Sequence, residues 1–150
     1  MSDSPGRVLA IDYGEVRVGL AVSDELGLIA QPLETIRRVG PRKDLAAIEQ
    51  RVREHRVTRV VVGLPLLLSG EEGDAARGAR QFAARLENRL RGVPVSLWDE
   101  RLTTVEAERT LVNGDVRRRK RRQKVDALAA SLILQGYLDA RGARGSGGEP

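Results

Sequence analysis

The chain has 150 residues, 41% apolar and 31% charged, the make-up of one globular domain able to bury a real core. No apolar stretch approaches the roughly 20 residues a membrane helix needs, and the opening MSDSPGR lacks the charged-then-apolar layout of a secretion signal, so cytoplasm is the expected compartment. The absence of cysteine excludes disulfides and thiolate metal sites, and the net charge of +5 is unevenly placed: RRRKRRQK, residues 117–124, holds seven of the 26 basic residues and no acid, leaving −2 for the remainder.

Two strands open the chain, residues 7–12 and 16–23, joined by a short turn. In the second, Val16, Val18, Leu20 and Val22 alternate with polar or small residues, as in a sheet with two unlike faces. Residues 28–36 form a third strand, which Pro32 pushes toward an edge or a bulge. Pro41 opens a helix with Leu45, Ile48 and Val52 on one stripe. The run RVVVGLP, 59–65, is short, β-branched and unalternating, as a parallel strand covered on both faces should be. After LLLSGEEG, a flexible stretch, a second helix starts near Asp74 with Ala75, Ala79, Phe82, Leu86 and Leu90 on one face. VPVSLWDE, 93–100, is the next strand. Thr103 begins a third helix with capping-box spacing to Glu106, and its pattern fades near Asn113-Gly114. The basic segment follows as a loop, then a last helix from about Lys124 to Ala140, and the Gly-rich tail 141–150 is expected to be disordered. Antiparallel strands followed by strand–helix alternation predict a single α/β domain over residues 1–140. Its mixed sheet should be covered by helices on both faces.

Three carboxylates fall at comparable places in that layout. Asp12 ends the first strand, Glu100 ends VPVSLWDE, and Asp126 lies in the first turn of the last helix. Ligands of open α/β sheets bind beyond the carboxyl ends of the strands, so the first two stand where chemistry is expected. If the last helix points its N-terminus at that edge, Asp126 joins them. Three converging carboxylates repel one another unless cations lie between them, and oxygen-only ligands suit Mg²⁺ or Mn²⁺. Simpler roles compete. Asp12-Tyr13-Gly14 could be a hairpin turn, Glu100 a surface partner of Arg101, and Asp126 a helix-dipole acid. Asp99 competes with Glu100, because neighbours on a strand face opposite sides.

Four segments in order, IDYGEVRVGLAVSD, VVVGLP, WDERLTTVEAERTL and VDALAASLILQGYL, resemble the motifs of the YqgF family, also called RuvX. The resemblance runs from about Arg7 to Leu138. It implies a ribonuclease H-like fold and a nuclease described both as Holliday-junction resolvase-like and as maturing the precursor of small-subunit ribosomal RNA. The family's acidic residues fall on Asp12, Glu100 and Asp126, which favours Glu100 over Asp99. The chain departs from the family where Glu15 and Val16 replace a common Thr-Lys pair, and where LLLSGEEG replaces a loop that usually contains Asn and Gly. Ala129 and Ala130 occupy the region where related resolvases carry a fourth carboxylate.

The implied chemistry is two-metal phosphodiester hydrolysis, with cations about 3.5–4 Å apart. Asp12 would bridge them, Glu100 would hold the first, and Asp126 the second or its water. Arg117, Arg118, Arg119, Lys120, Arg121, Arg122 and Lys124 would bind flanking phosphates of structured RNA or a DNA junction without reading sequence. Aromatics are only 3% of residues, so base stacking is a poor source of specificity. A junction resolvase would also call for a homodimer, to cut two strands symmetrically. A nucleic-acid-binding module with an inert acidic site is the principal rival. A phosphate-binding turn of the actin-like ATPase type is another, but it needs a second lobe that 150 residues do not supply.

Overall fold

The computed structural model describes residues 6–103 and 118–146, with side chains in the second segment given for Asp126 to Gly142. The strands are β1 (Arg7–Tyr13), β2 (Arg17–Ser23), β3 (Ala30–Arg37), β4 (Val57–Leu64) and β5 (Val95–Asp99). The helices are α1 (Pro41–Glu54), α2 (Asp74–Leu90) and α3 (Arg118–Ser146), and a 3-10 turn at Glu100–Leu102 follows β5. Among the described residues the strands form one mixed sheet in the order β3-β2-β1-β4-β5. β1, β2 and β3 pair antiparallel, while β4 and β5 run parallel to β1, as the strand order in the sequence predicts. Pro32 lies on the edge strand, and the register slips between Leu20 and Ala21 where Pro32 sits opposite. A residue without an N–H cannot complete a ladder, so the edge and the bulge share one cause.

Alternation along the strands sorts side chains between two cores. Leu9 and Ile11, Val18 and Leu20, and Val60 and Val62 face α1 and α2, where Ile48, Phe82 and Leu86 pack on them. Val8, Ala10, Ala21 and Val61 face α3 and meet Ala129, Ala130, Ile133 and Leu134. The α3 face is built of small residues, so that helix lies close against the sheet. Gly19 marks the closest approach: a Cβ there would collide with the backbone carbonyl of Asp126. Gln135 pins the same helix to β3, accepting from the Ala30 N–H at 2.9 Å and donating to the Leu28 carbonyl at 3.0 Å.

Several expectations need correction. The last helix starts at Arg118, not near Lys124, so the basic run from residue 118 is helical backbone and not a loop. Arg, Lys and Gln are good helix formers and nothing in the run breaks a helix. Asp126 therefore lies about two turns into α3, outside its first turn. The helix also continues to Ser146, beyond the expected end at Ala140 and into the tail. On α2 the buried stripe uses Ala76 and Ala83 beside Ala79, Phe82 and Leu86, whereas Ala75 is exposed. The helix expected from Thr103 to Gly114 lies, after Thr103, outside the described residues.

Candidate active site

Asp12 is paired within the sheet, opposite Gly19 on β2 and continuing the Val8, Ala10 side of β1 toward α3. The turn proper is Gly14–Val16, closed by the Gly14 N–H donating to the Arg17 carbonyl at 3.0 Å. The turn-former role for Asp12 is thereby set aside: it is a strand residue, 4% exposed.

β5 places Asp99 and Glu100 on opposite faces of the sheet. Asp99 shares the parity of Val95 and Leu97, which pack toward α1 and α2, and takes Arg101 as partner, Nη2 to Oδ2 at 2.8 Å, and that guanidinium holds its carboxyl below the usual range. Glu100, first residue of the 3-10 turn, is 7% exposed and turns inward. Its carboxylate lies over Gly63 of β4, where a Cβ would come within 2.6 Å of Oε2 and 2.7 Å of Ile133 Cδ1. Because Ile133 belongs to the α3 core, Glu100 is on the same face of the sheet as Asp12. Gly63 makes room for it.

Asp126 enters from above that face. Its carboxylate is 20% exposed, and Oδ2 accepts from Arg17 Nε at 2.9 Å. Asp12 and Asp126 line one cleft of about 460 Å³ at the carboxyl edge of β1 and β4, with Tyr13, Gly14, Arg17 and Arg38 beside them and Pro65, Asp74 and Gly78 across. Glu100 is not in that lining. Among the described residues no three Asp, Glu or His side chains stand close enough to form a ready-made cation cluster. The three expected carboxylates thus share a face, two of them share a cleft, and Arg17 already engages one. Ala129 and Ala130 are fully buried against the sheet, which leaves no space for a fourth carboxylate at their positions.

Sequence reasoning passed over four contributors: Arg17, Arg38, Gly19 and Gly63. Arg38 donates through Nη1 to the carbonyls of Gly14 and Glu15 at 2.9 and 3.1 Å, and so fixes the turn after Asp12. Its guanidinium lies over the Tyr13 ring, 4.4 Å from the centroid, and Tyr13 stacks on Phe82 at 4.3 Å. Burial pushes the Tyr13 phenol up from its ordinary value, with the Arg38 charge pulling the other way. The side chains of Arg118, Arg119, Lys120, Arg121, Arg122 and Lys124, and all of Arg117, lie outside the described residues.

The fold is of the ribonuclease H-like kind. It is shared with Thermus thermophilus RuvC in complex with Holliday junction substrate, at a TM-score of 0.56 and 19% identity over 91% of this chain and 95% of that one. A second structure of Thermus thermophilus RuvC superposes at 0.54, with 19% identity over 91% and 96% of the two chains. The chain belongs to the RuvX family, described as Holliday junction resolvase, whose model matches residues 6–140. A relative from Myxococcus xanthus strain DK1622, named "Putative pre-16S rRNA nuclease", is 52% identical over 134 residues, 89% of this chain and 88% of its own. One of the same name from Anaeromyxobacter dehalogenans strain 2CP-C is 53% identical over 135 residues, 90% and 98% of the two chains.

Proposed function

We propose that this protein is a divalent-cation-dependent endonuclease that processes the ends of precursor 16S ribosomal RNA, with Asp12, Glu100 and Asp126 as ligands for Mg²⁺ or Mn²⁺. The observation that carries it is the buried Asp12, held in a central strand and facing the cleft shared with Asp126. The substrate class follows from relatives about half identical over nine-tenths of the chain.

The donor set fits such a cation. All three side chains offer only oxygen, which hard cations prefer, and Gly63 and Gly19 leave the space that seats Glu100 and admits Asp126. When bound, such a cation lowers the pKa of a coordinated water and neutralises charge on the scissile phosphate. The protein's own part is positioning. Asp12 is held by its pairing with Gly19 of β2, one residue past the Ile11–Val62 pair of β1 with β4, and Arg38 fixes the turn beyond it. Arg17 engages Oδ2 of Asp126, so a cation held by that carboxylate would compete with the guanidinium for it. The basic run, Arg117 to Lys124, supplies phosphate contacts that position substrate without reading its sequence.

A four-way DNA junction is the second reading, favoured by the family's description as Holliday junction resolvase. The two are separated by purified protein with Mn²⁺ or Mg²⁺ acting on matched structured RNA and junction DNA, beside an Asp12→Asn control. Faster cleavage of the RNA supports rRNA processing, and cleavage of the junction alone refutes it.

A further inference from the structure

A second groove, of about 210 Å³, adjoins the carboxylate cleft, and the two share Tyr13, Arg38 and Gly78. Their charges are opposite. Asp12, Glu15, Asp74 and Asp126 border the first, whereas the second has Arg38 and Arg85 on its walls and no carboxylate in its lining. Arg38 is held rigidly by the Gly14 and Glu15 carbonyls, and buried Asp44, 3.8 Å from its Nε, answers part of its charge. Arg85, exposed on α2, makes no hydrogen bond or ion pair with any other described residue, and Gln81 presents an amide one turn before it. Gly78 is the joint between the grooves, and a Cβ there would meet nothing within 4 Å.

We infer that this groove is a track for the phosphodiester backbone of the substrate. A strand whose scissile phosphate sits at Asp12 and Asp126 would continue past Gly78, with a neighbouring phosphate taken by Arg38 and Arg85. Tyr13 is a wall of the track and not a stacking platform, because Phe82 packs on its ring and the Arg38 guanidinium lies over it. The contacts are to the backbone, so the track adds affinity and direction without sequence preference. This inference rests on the nuclease reading above and extends it to residues outside the basic run.

The test is fluorescence anisotropy across a salt series, with labelled structured RNA and junction DNA, on an Asp12→Asn background so that cleavage does not intervene. Arg85→Gln should weaken binding about three- to tenfold and flatten the log–log salt slope by about 0.7–0.9. Gly78→Glu should weaken it at least as much, with a melting temperature unchanged or raised, since Glu is the better helix former. Arg53→Gln removes an arginine of the same charge, 77% exposed at the far end of α1, and should change little. The track is overturned if Arg85→Gln and Gly78→Glu bind like the parent, or if Arg53→Gln weakens binding equally. Failure of the parent to bind either nucleic acid would defeat the nuclease reading itself, and the track with it. Normal binding with unaffected groove variants would defeat the track alone.

Discussion

Arg17 Nε donates to Asp126 Oδ2 at 2.9 Å, tying the first residue of β2 to a carboxylate two turns into α3. The pair is mostly shielded, with 23% and 20% of the two side chains exposed, and it lies in the cleft that also holds Asp12. Arg17 therefore acts as a resident cation. Arg17→Gln should cost about 1–2 kcal/mol of stability in cation-free protein, between the values for exposed and buried pairs. The same variant should gain more from Mn²⁺ than wild type does, because the ion no longer competes with a guanidinium. Thermal melts with and without Mn²⁺ measure both effects. A smaller ion-induced rise in Arg17→Gln would show that the arginine helps the ion and does not compete with it.

Asp12→Asn should leave the melting temperature unchanged or slightly raised, since it removes one of the four carboxylates that border the cleft, Asp12, Glu15, Asp74 and Asp126. Were Asp12 only a structural strand residue, the variant would be less stable and would keep any nuclease activity.

Gly63→Ala puts a methyl group against Glu100 Oε2 and Ile133 Cδ1. Overpacking of this kind costs about 1–3 kcal/mol. The useful consequence is that the Glu100 carboxylate must move, so cleavage should fall by more than the stability loss explains. Comparing kcat with the folded fraction at one temperature checks this, and a rate that merely follows the folded fraction would remove Gly63 from the site.

The pH dependence of stability has two limbs with different origins. Backbone N–H groups of Ile29 and Leu28 hold Asp24 below its ordinary 3.8, Arg101 does the same for Asp99, and Arg89 and Arg80 hold Glu49 and Glu72 below 4.5. Groups with depressed folded values stabilise above their unfolded values, and that contribution is lost as pH falls through the folded ones. Stability should therefore decline in acid beginning below about pH 4.5. Tyr13 has the opposite sign: burial raises it above 10.0, so its contribution holds below that value and is lost as pH climbs through the folded value. Denaturant titrations of wild type and Tyr13→Phe should coincide in acid and separate in alkali, where the variant loses less. Identical alkaline limbs would contradict this assignment.

Much of the fold was legible because burial imposes periods on sequence. Val8, Ala10 and Asp12 share a parity, and so do Trp98 and Glu100, which places both carboxylates on the α3 side once that helix is known to cover it. The start of α3 was not legible, because a run of Arg and Lys reads as a charge cluster before it reads as helix. Ala75 and Ala76 could not be told apart, since a shift of one residue along an alanine-rich helix barely changes its apolar stripe. Gly19 and Gly63 were hidden for another reason. Each matters through contact with residues distant in sequence, Asp126 and Glu100, and no local pattern announces a close approach between remote elements.

The central claim is that Asp12, Glu100 and Asp126 together perform cation-dependent phosphodiester cleavage, and single-turnover cleavage of precursor 16S RNA in Mn²⁺ tests it most directly. Asp12→Asn, Glu100→Gln and Asp126→Asn should each bind the RNA as tightly as wild type while losing cleavage by about 10²-fold or more, about 2.7 kcal/mol of transition-state stabilisation at 1.36 kcal/mol per tenfold. Cleavage at the wild-type rate by any one of them, at saturating RNA and Mn²⁺, would contradict the account.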